Sequence, residues 1–541
     1  MSLDRPSRIV RPPFPLCLNA TSNSNIDDSS NSPIKAIKLR PEDHRVHRSP
    51  LPISAHQANT HHTHTQANFF FCVNPITPPH TMSPPVALAD SAVSSPFPQS
   101  PKESPKLAAN GNGAEVPCFL SDRAKATQID GIRGLLPFET EGVVSFLAGK
   151  PNPTTFPFDS ITLNLKAPVG GGDIPPAITI DGEDLDAALQ YGPSAGLTKI
   201  RNWLSDLQEH VHKRKPGNWT ISMGSGSQDL MSKGFAALLN PGDPILVETP
   251  VYSGVLPALR QLNAQTIEVG VDEEGLSAVK LEEVLANWPA DKKRPRVIYS
   301  TPVGCNPSGC SASAQRKRDV LQVMKKYDLL MMEDDPYYFL TVDLIPSYFE
   351  LEPEVFPNGG HVIRFDSFSK LLSAGLRLGY ATGPKDILHA IDVQHAGSNL
   401  HTSSLSQATA LRLLQHWGID GFLNHATNVA KYYRDRRDLF EAAAHKYLDG
   451  LATWVSPIAG MFLWIDLSPA GITDSYSLIR NEALAKGVLA VPGQAFFPSG
   501  RPSTHVRVSF SIVDLEKEAP LGLQRLAEAI KDKQKELGVK A

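Results

Sequence analysis

The chain has 541 residues, 41% of them hydrophobic and 20% charged, which allows two or three packed units of ordinary globular makeup. Its 52 Lys and Arg against 56 Asp and Glu leave a formal charge of −4, so there is no chain-wide basic field to hold a nucleic acid. Five irregularly spaced cysteines without a Cys-x-x-Cys pair exclude a disulfide framework and a zinc ribbon, and no apolar run approaches the ~18 residues that cross a bilayer.

Residues 1–117 differ from the rest in texture: they hold 18 of the 46 prolines, are rich in Ser, Asn and His, and lack sustained periodicity. Such a stretch cannot bury enough apolar surface to offset the entropy of ordering, so a disordered low-complexity extension is expected. Arg5, Arg8 and Arg11 give it a faint presequence character, but the prolines among them oppose the amphipathic helix that a presequence forms. His61, His62 and His64 have no partner ligands nearby in sequence, and no metal site is expected. Met82 is a second candidate start. The expected location is cytoplasmic, with a mitochondrial alternative if the extension is a targeting segment.

From residue 119 onward, apolar runs alternate with helical patterns. Helices are expected over 197–212, 228–239, 314–327 and 386–393, and strands over 244–248, 296–300, 328–333, 361–364, 378–381 and 460–465. Near-continuous apolar strands alternating with helices make a mostly parallel sheet covered on both faces, the α/β class. Ligands then gather beyond the carboxyl ends of the strands.

The residues that follow those strands are polar and specific: Thr249-Pro-Val-Tyr252, Pro302-Val-Gly-Cys-Asn306, Asp334-Asp335-Pro-Tyr-Tyr338 and Asp366-Ser367-Phe-Ser369-Lys370. A lysine at a rigid strand exit, beside cations or apolar walls, has the lowered pKa that Schiff-base chemistry needs, and Lys370 has that setting. Ser367, Ser369 and Arg377 offer hydroxyl and cationic donors for a phosphate monoester. Gly224-Ser-Gly226-Ser227-Gln228 opens a helix whose free N–H groups would bind the same anion. Asp229 stands where a dinucleotide fingerprint needs its last glycine, so that fingerprint is absent. A phosphate cradle beside an imine-forming lysine points to pyridoxal phosphate. Each residue alone reads as a surface charge, a turn cap or a packing tyrosine, and it is their order along the chain that gives them weight.

In that order the residues resemble the fold type I, class I/II pyridoxal-phosphate aminotransferases, in the branch of the kynurenine/2-aminoadipate and fungal aromatic amino acid aminotransferases. The likeness covers 119–537. It is carried by Ile132-Arg133-Gly, Leu147-Ala-Gly149-Lys-Pro-Asn-Pro153, Leu189-Gln-Tyr191-Gly-Pro-Ser-Ala-Gly196 and Gly226-Ser-Gln228 in the first half. Later carriers are Asn306-Pro-Ser-Gly309, Glu333-Asp-Asp335-Pro-Tyr-Tyr338, Asp366-Ser-Phe-Ser-Lys370, Gly375-Leu-Arg377 and Val506-Arg507-Val-Ser-Phe-Ser511.

The resemblance implies that Lys370 holds pyridoxal 5′-phosphate covalently and shuttles a proton, that Asp335 pairs with the pyridine nitrogen, and that Tyr338 donates to the phenolic oxygen with Asn306 as second donor. Tyr252 would stack on the ring, and Ser227, Gln228, Ser367, Ser369 and Arg377 would hold the phosphate. Tyr191 would reach the phosphate of a neighbouring subunit in a homodimer. Arg507, with Asn306, would anchor the substrate α-carboxylate, while Arg133 and Gly149 would belong to a segment that closes over substrate.

The implied architecture is a large domain over 191–397, with a mostly parallel seven-stranded sheet between helices, and a smaller α+β domain assembled from 118–190 and 398–541. The implied reaction moves the amino group of an aromatic L-amino acid (Tyr, Phe or Trp) to 2-oxoglutarate or another 2-oxo acid in a ping-pong cycle. Kynurenine and 2-aminoadipate are alternative donors. A β-lyase or decarboxylase is a second reading within the fold. An aminotransferase-like transcription regulator is a reading from another class, disfavoured because the extension has no basic recognition stretch. The expected partners are small molecules, with no nucleic acid and no membrane.

Overall fold

The computed structural model describes residues 118–140, 142–147 and 149–539. The expected extension over 1–117, with its arginine and histidine motifs and Met82, lies outside the described residues.

Among the described residues the strands are, in chain order, β1 (Ile161–Leu163), β2 (Ile178–Ile180), β3 (Trp219–Gly224), β4 (Pro244–Thr249), β5 (Gln265–Asp272), β6 (Gly275–Leu276), β7 (Val297–Ser300), β8 (Leu330–Asp334), β9 (Val362–Ser367), β10 (Gly379–Pro384), β11 (Phe462–Asp466), β12 (Val491–Pro492) and β13 (His505–Ser509). One sheet has the order β3-β10-β9-β8-β7-β4-β5-β6. In it β9, β8, β7, β4 and β5 are mutually parallel, and β10 is antiparallel to both neighbours. The expected sheet is therefore present as seven longer strands, and the two-residue β6, returning antiparallel against β5, adds an eighth. Strands β3 and β5 escaped the apolar-run pattern because Thr220 and Ser222 interrupt the first, and polar Gln265, Thr266 and Glu268 punctuate the second.

Strands β4, β7 and β8 are buried along their whole length, and their alternate residues enter opposite layers. On one face Ile245, Val247, Val297, Tyr299, Leu330, Met332, Ile363 and Phe365 form a core with residues of helices Ser227–Leu238, Leu256–Gln261 and Lys385–Ser398. On the other face Leu246, Ile298, Met331 and Val362 form a core with residues of helices Thr198–His212, Ala278–Ala286, Ala314–Tyr327 and Tyr348–Val355. Each buried aliphatic side chain contributes about 1.5–3 kcal/mol, so a one-residue slip that exchanged the faces would be strongly opposed. Helix Ala314–Tyr327 has the expected bounds because Ser313 caps it, accepting from Arg316 N–H at 3.2 Å, and Asp328 ends it in the left-handed region at φ 53°.

Strands β11, β13 and β12 form a separate antiparallel sheet in that order, with Arg507 opposite Trp464. Its core joins Leu463, Ile465, Val506 and Phe510 to Phe440, Leu448, Leu526 and Ile530. Helix Ser404–Leu448, broken at Gly418, serves both cores: Ala410, Leu414 and, beyond the break, Phe422 pack with the large sheet, and Phe440, Ala444 and Leu448 with the small one. At the other end of the described chain, Phe119 joins the Phe235 layer and Ser121 N–H donates to Ala237 O at 2.7 Å, so this segment rests on the large sheet's helices.

Candidate active site

Strands β3, β4, β7, β8 and β9 run in one direction, so their carboxyl ends at Gly224, Thr249, Ser300, Asp334 and Ser367 open onto a common edge. The loops leaving them enclose a cavity of about 360 Å³. It brings together Ser227, Gln228, Tyr252, Asn306, Ser367, Ser369, Lys370, Arg377 and Arg507, all expected from the sequence. It also holds Met231, Thr301, Asp334, Tyr337 and Phe462, to which the sequence pattern gives no role.

One end of the cavity is built for an anion. Gly226, at φ 89°, turns the chain into helix Ser227–Leu238, whose first N–H groups have no intrahelical acceptor. A Cβ at Gly226 would lie 2.5 Å from Arg377 Nη2, so the glycine is what lets the guanidinium reach the turn. Arg377 donates to Ser225 O at 3.2 Å, Ala374 O at 3.1 Å and Ser369 Oγ at 3.4 Å. Beneath the turn Asp229 accepts from Ser225 N–H at 3.0 Å and Lys233 Nζ at 2.7 Å, with His395 Nε2 at 3.2 Å. Against the effect of burial, these hydrogen bonds hold the Asp229 carboxyl below the usual range. The residue that breaks the dinucleotide fingerprint thus pins the turn in place.

At the floor of the cavity the structure corrects two sequence assignments. Asp335 and Tyr338 do not line it; Asp334 and Tyr337 do. Asp335 faces the opposite layer, where Arg364 Nη1 donates to it at 2.9 Å, and Tyr338 lies in that layer with the Arg364 guanidinium 4.4 Å from its ring centroid. Arg364, fully buried, also forks onto Asp366 at 2.8 and 3.0 Å and lies 3.4 Å from Glu333. The physical reason is strand parity: Glu333 and Asp335 share the Met331 face, while Asp334 shares the face of Leu330 and Met332. Asp334 accepts from Tyr299 O–H at 2.6 Å through Oδ2, and its buried Oδ1 has no partner. Burial, with Asp335, Glu248 and Asp366 nearby, pushes the Asp334 carboxyl up to about 7.

Lys370 follows β9 in a single turn, Phe368–Lys370, started where Ser367 Oγ accepts from Ser369 N–H at 3.2 Å. Burial, then the cations Arg377 and Arg507, push its ammonium pKa below that of a free lysine. Its Nζ is 5.9 Å from the Tyr337 ring centroid. Arg507 enters from β13, its guanidinium 4.2 Å from the Phe462 ring centroid and 5.1 Å from that of Phe496. Tyr191, Arg133 and Gly149 stand outside the cavity: Tyr191 is 54% exposed, and Arg133 Nη1 donates to Ser194 Oγ at 2.9 Å.

The family model for aminotransferase class I and II matches residues 179–520. The chain is a class I/II aminotransferase. It is 40% identical to the aminotransferase tdiD of Emericella nidulans, over 78% of this chain and 97% of that one. It is 38% identical to the mitochondrial kynurenine/alpha-aminoadipate aminotransferase of Bos taurus, over 78% and 99%. Its fold is similar to the aromatic aminotransferase Aro9 of Candida albicans at a TM-score of 0.69, with 25% identity over 78% and 98%.

The cofactor of the aminotransferase is pyridoxal 5′-phosphate. Two observations show that the residues fit it: the missing Cβ at Gly226 lets the Arg377 guanidinium lie against the helix-opening turn, where it can meet a phosphate, and Asp334 brings an unpartnered buried oxygen to the same cavity.

Proposed function

We propose that this aminotransferase takes an aromatic L-amino acid as donor and 2-oxoglutarate as acceptor. The observation that carries the reading is the pairing of an anion anchor with aromatic walls: Arg507 lies against Phe462 and Phe496, and Phe462 lines the cavity beside it. A flat apolar side chain buries against such walls while the guanidinium engages the carboxylate. Kynurenine and 2-aminoadipate remain the second reading, favoured by the 38% identity to the bovine enzyme named for them.

In this reading the bound cofactor supplies an electron sink for the carbanion at the substrate α-carbon. Lys370 would hold it and would carry the proton from and to that carbon, which suits an amine whose pKa lies below the ordinary value. Asp334, not Asp335, keeps the ring nitrogen protonated. Tyr337, not Tyr338, donates to the phenolic oxygen with Asn306, and burial keeps its hydroxyl protonated well above pH 10. Tyr252 stacks on the ring. Ser227, Gln228, Ser367, Ser369 and Arg377 hold the phosphate, and Arg507 with Asn306 holds the α-carboxylate.

The exposed Tyr191 is assigned to a neighbouring subunit's phosphate in a homodimer, and Arg133 and Gly149 to closure over substrate. The division into a large domain over 191–397 and a smaller one from 118–190 and 398–541 belongs to the same proposal, as does a cytoplasmic location, or a mitochondrial one if 1–117 directs it there.

The test is a panel of amino donors against 2-oxoglutarate with purified enzyme. Tyr, Phe and Trp are expected to give the highest kcat/KM. A preference for 2-aminoadipate would select the second reading, and oxo-acid release without an acceptor would remove the transaminase cycle. Lys370→Ala is expected to abolish both turnover and the borohydride-trapped adduct.

A further inference from the structure

Asp334 at the end of β8 and Tyr299 on the adjacent β7 share one sheet face, and both are at most 2% exposed. The Tyr299 O–H donates to Asp334 Oδ2 at 2.6 Å, and Thr301 Oγ1 lies 3.4 Å from the same hydroxyl. Among the described residues this is the one hydrogen bond the carboxylate receives, and Oδ1 has none. The acids Asp335, Glu248 and Asp366 stand near the carboxyl and oppose its ionisation. Arg364 is directed at Asp335, Asp366 and Glu333, while the cavity cations Lys370, Arg377 and Arg507 form no salt bridge with Asp334. Burial and the Asp334 charge hold the Tyr299 phenol far above its ordinary pKa, so it stays a donor at every working pH.

We infer that Tyr299 is a positioning residue: it orients Asp334 and keeps it ionised, so that the proton shared with the cofactor's ring nitrogen resides on the nitrogen and not on the carboxyl. An unassisted carboxylate among three acids is a strong base and would take that proton, leaving a neutral ring that draws electrons poorly. A single neutral donor at one oxygen corrects this without placing a cation beside the ring, and leaves the other oxygen free to accept. The inference rests on the reading of Asp334 as the ring's partner.

The test is the ¹⁵N chemical shift of ring-¹⁵N pyridoxal phosphate bound to the protein, followed against pH in wild type, Tyr299→Phe and Asp334→Asn. In Tyr299→Phe the carboxyl becomes the stronger base, so the protonated-nitrogen signal at neutral pH is expected to fall as the proton passes to Asp334, a roughly tenfold shift in its distribution between the two atoms, the scale expected for removing a hydrogen bond to a charged group. Superimposable curves for wild type and Tyr299→Phe overturn the inference. Asp334→Asn is expected to remove the protonated signal at neutral pH whatever Tyr299 does; if the signal stays, the partner reading itself has failed. Should Tyr299→Phe not fold, 3-fluorotyrosine at 299, a stronger donor of nearly the same shape, is expected to move the nitrogen signal at neutral pH toward the protonated value, and an unmoved signal overturns the inference equally.

Discussion

Arg507 Nη1 donates to Asn306 Oδ1 across 2.6 Å, which ties the antiparallel C-terminal sheet to the loop after β7. Arg507 Nε is buried without a partner, so part of the guanidinium remains free for a carboxylate while Asn306 steadies the other arm. Arg507→Lys keeps the charge and loses the fork. Loss of one charge-assisted bond, about 1.5–3 kcal/mol, predicts a roughly 10- to 100-fold rise in KM for every donor, with kcat less affected. Steady-state kinetics on several amino acids checks this; an effect confined to one donor would mean that Arg507 reads the side chain.

Asp334 and Asp335 are neighbours in sequence with opposite surroundings, and their alanine variants should separate cleanly. Asp334→Ala removes a carboxyl that burial already disfavours, so the apoprotein's melting temperature should not fall while kcat of the loaded enzyme falls by orders of magnitude. Asp335→Ala strips one partner from the buried Arg364, a loss of about 3 kcal/mol that lowers the melting temperature but leaves turnover largely intact in the folded fraction. Calorimetry and turnover at low temperature distinguish the two, and the reverse pattern would return the role to Asp335.

That pair also marks where sequence reading stopped. In Asp334-Asp335-Pro336-Tyr337-Tyr338 the same spacing fits Asp334 with Tyr337 and Asp335 with Tyr338. Alternation normally tells which residue of a strand faces which side, but β8 is buried on both faces and gives no such signal. Lys370, Arg377 and the Gly226 turn were legible because glycine conformation and serine-flanked cations point to an anion through local chemistry alone. Phe462 and Tyr299 were not, since Phe462 reaches the cavity from the other sheet and Tyr299 reaches Asp334 from a neighbouring strand, and only the assembled sheets bring them there.

Gly226→Ala tests the anion cradle. At φ 89° alanine is strained, and its Cβ would meet Arg377 Nη2 at 2.5 Å, so the guanidinium must withdraw from the turn. Losing a charge-assisted contact to phosphate predicts a cofactor Kd raised roughly tenfold or more, with the fold retained. Absorbance titration of apoprotein with pyridoxal phosphate measures it. Unchanged affinity would place the phosphate elsewhere.

The raised pKa of Asp334 makes the apoprotein's stability depend on pH with a definite sign. Its carboxyl titrates near 7 when folded against an ordinary value of 3.8. Below about pH 4 both states are protonated and the group is neutral to stability. Between about 4 and 7 the unfolded chain ionises while the folded one stays protonated, so stability falls as pH rises, and above 7 the whole penalty is present. The limit of that penalty is about 4 kcal/mol. Asp334→Asn cannot ionise, so apo Asp334→Asn is expected to gain on apo wild type progressively from pH 4 to 7 in urea unfolding. Adding pyridoxal phosphate supplies the missing cationic partner and should narrow the difference. A gap that stays constant across this range would show that Asp334 is ionised in the apoprotein throughout.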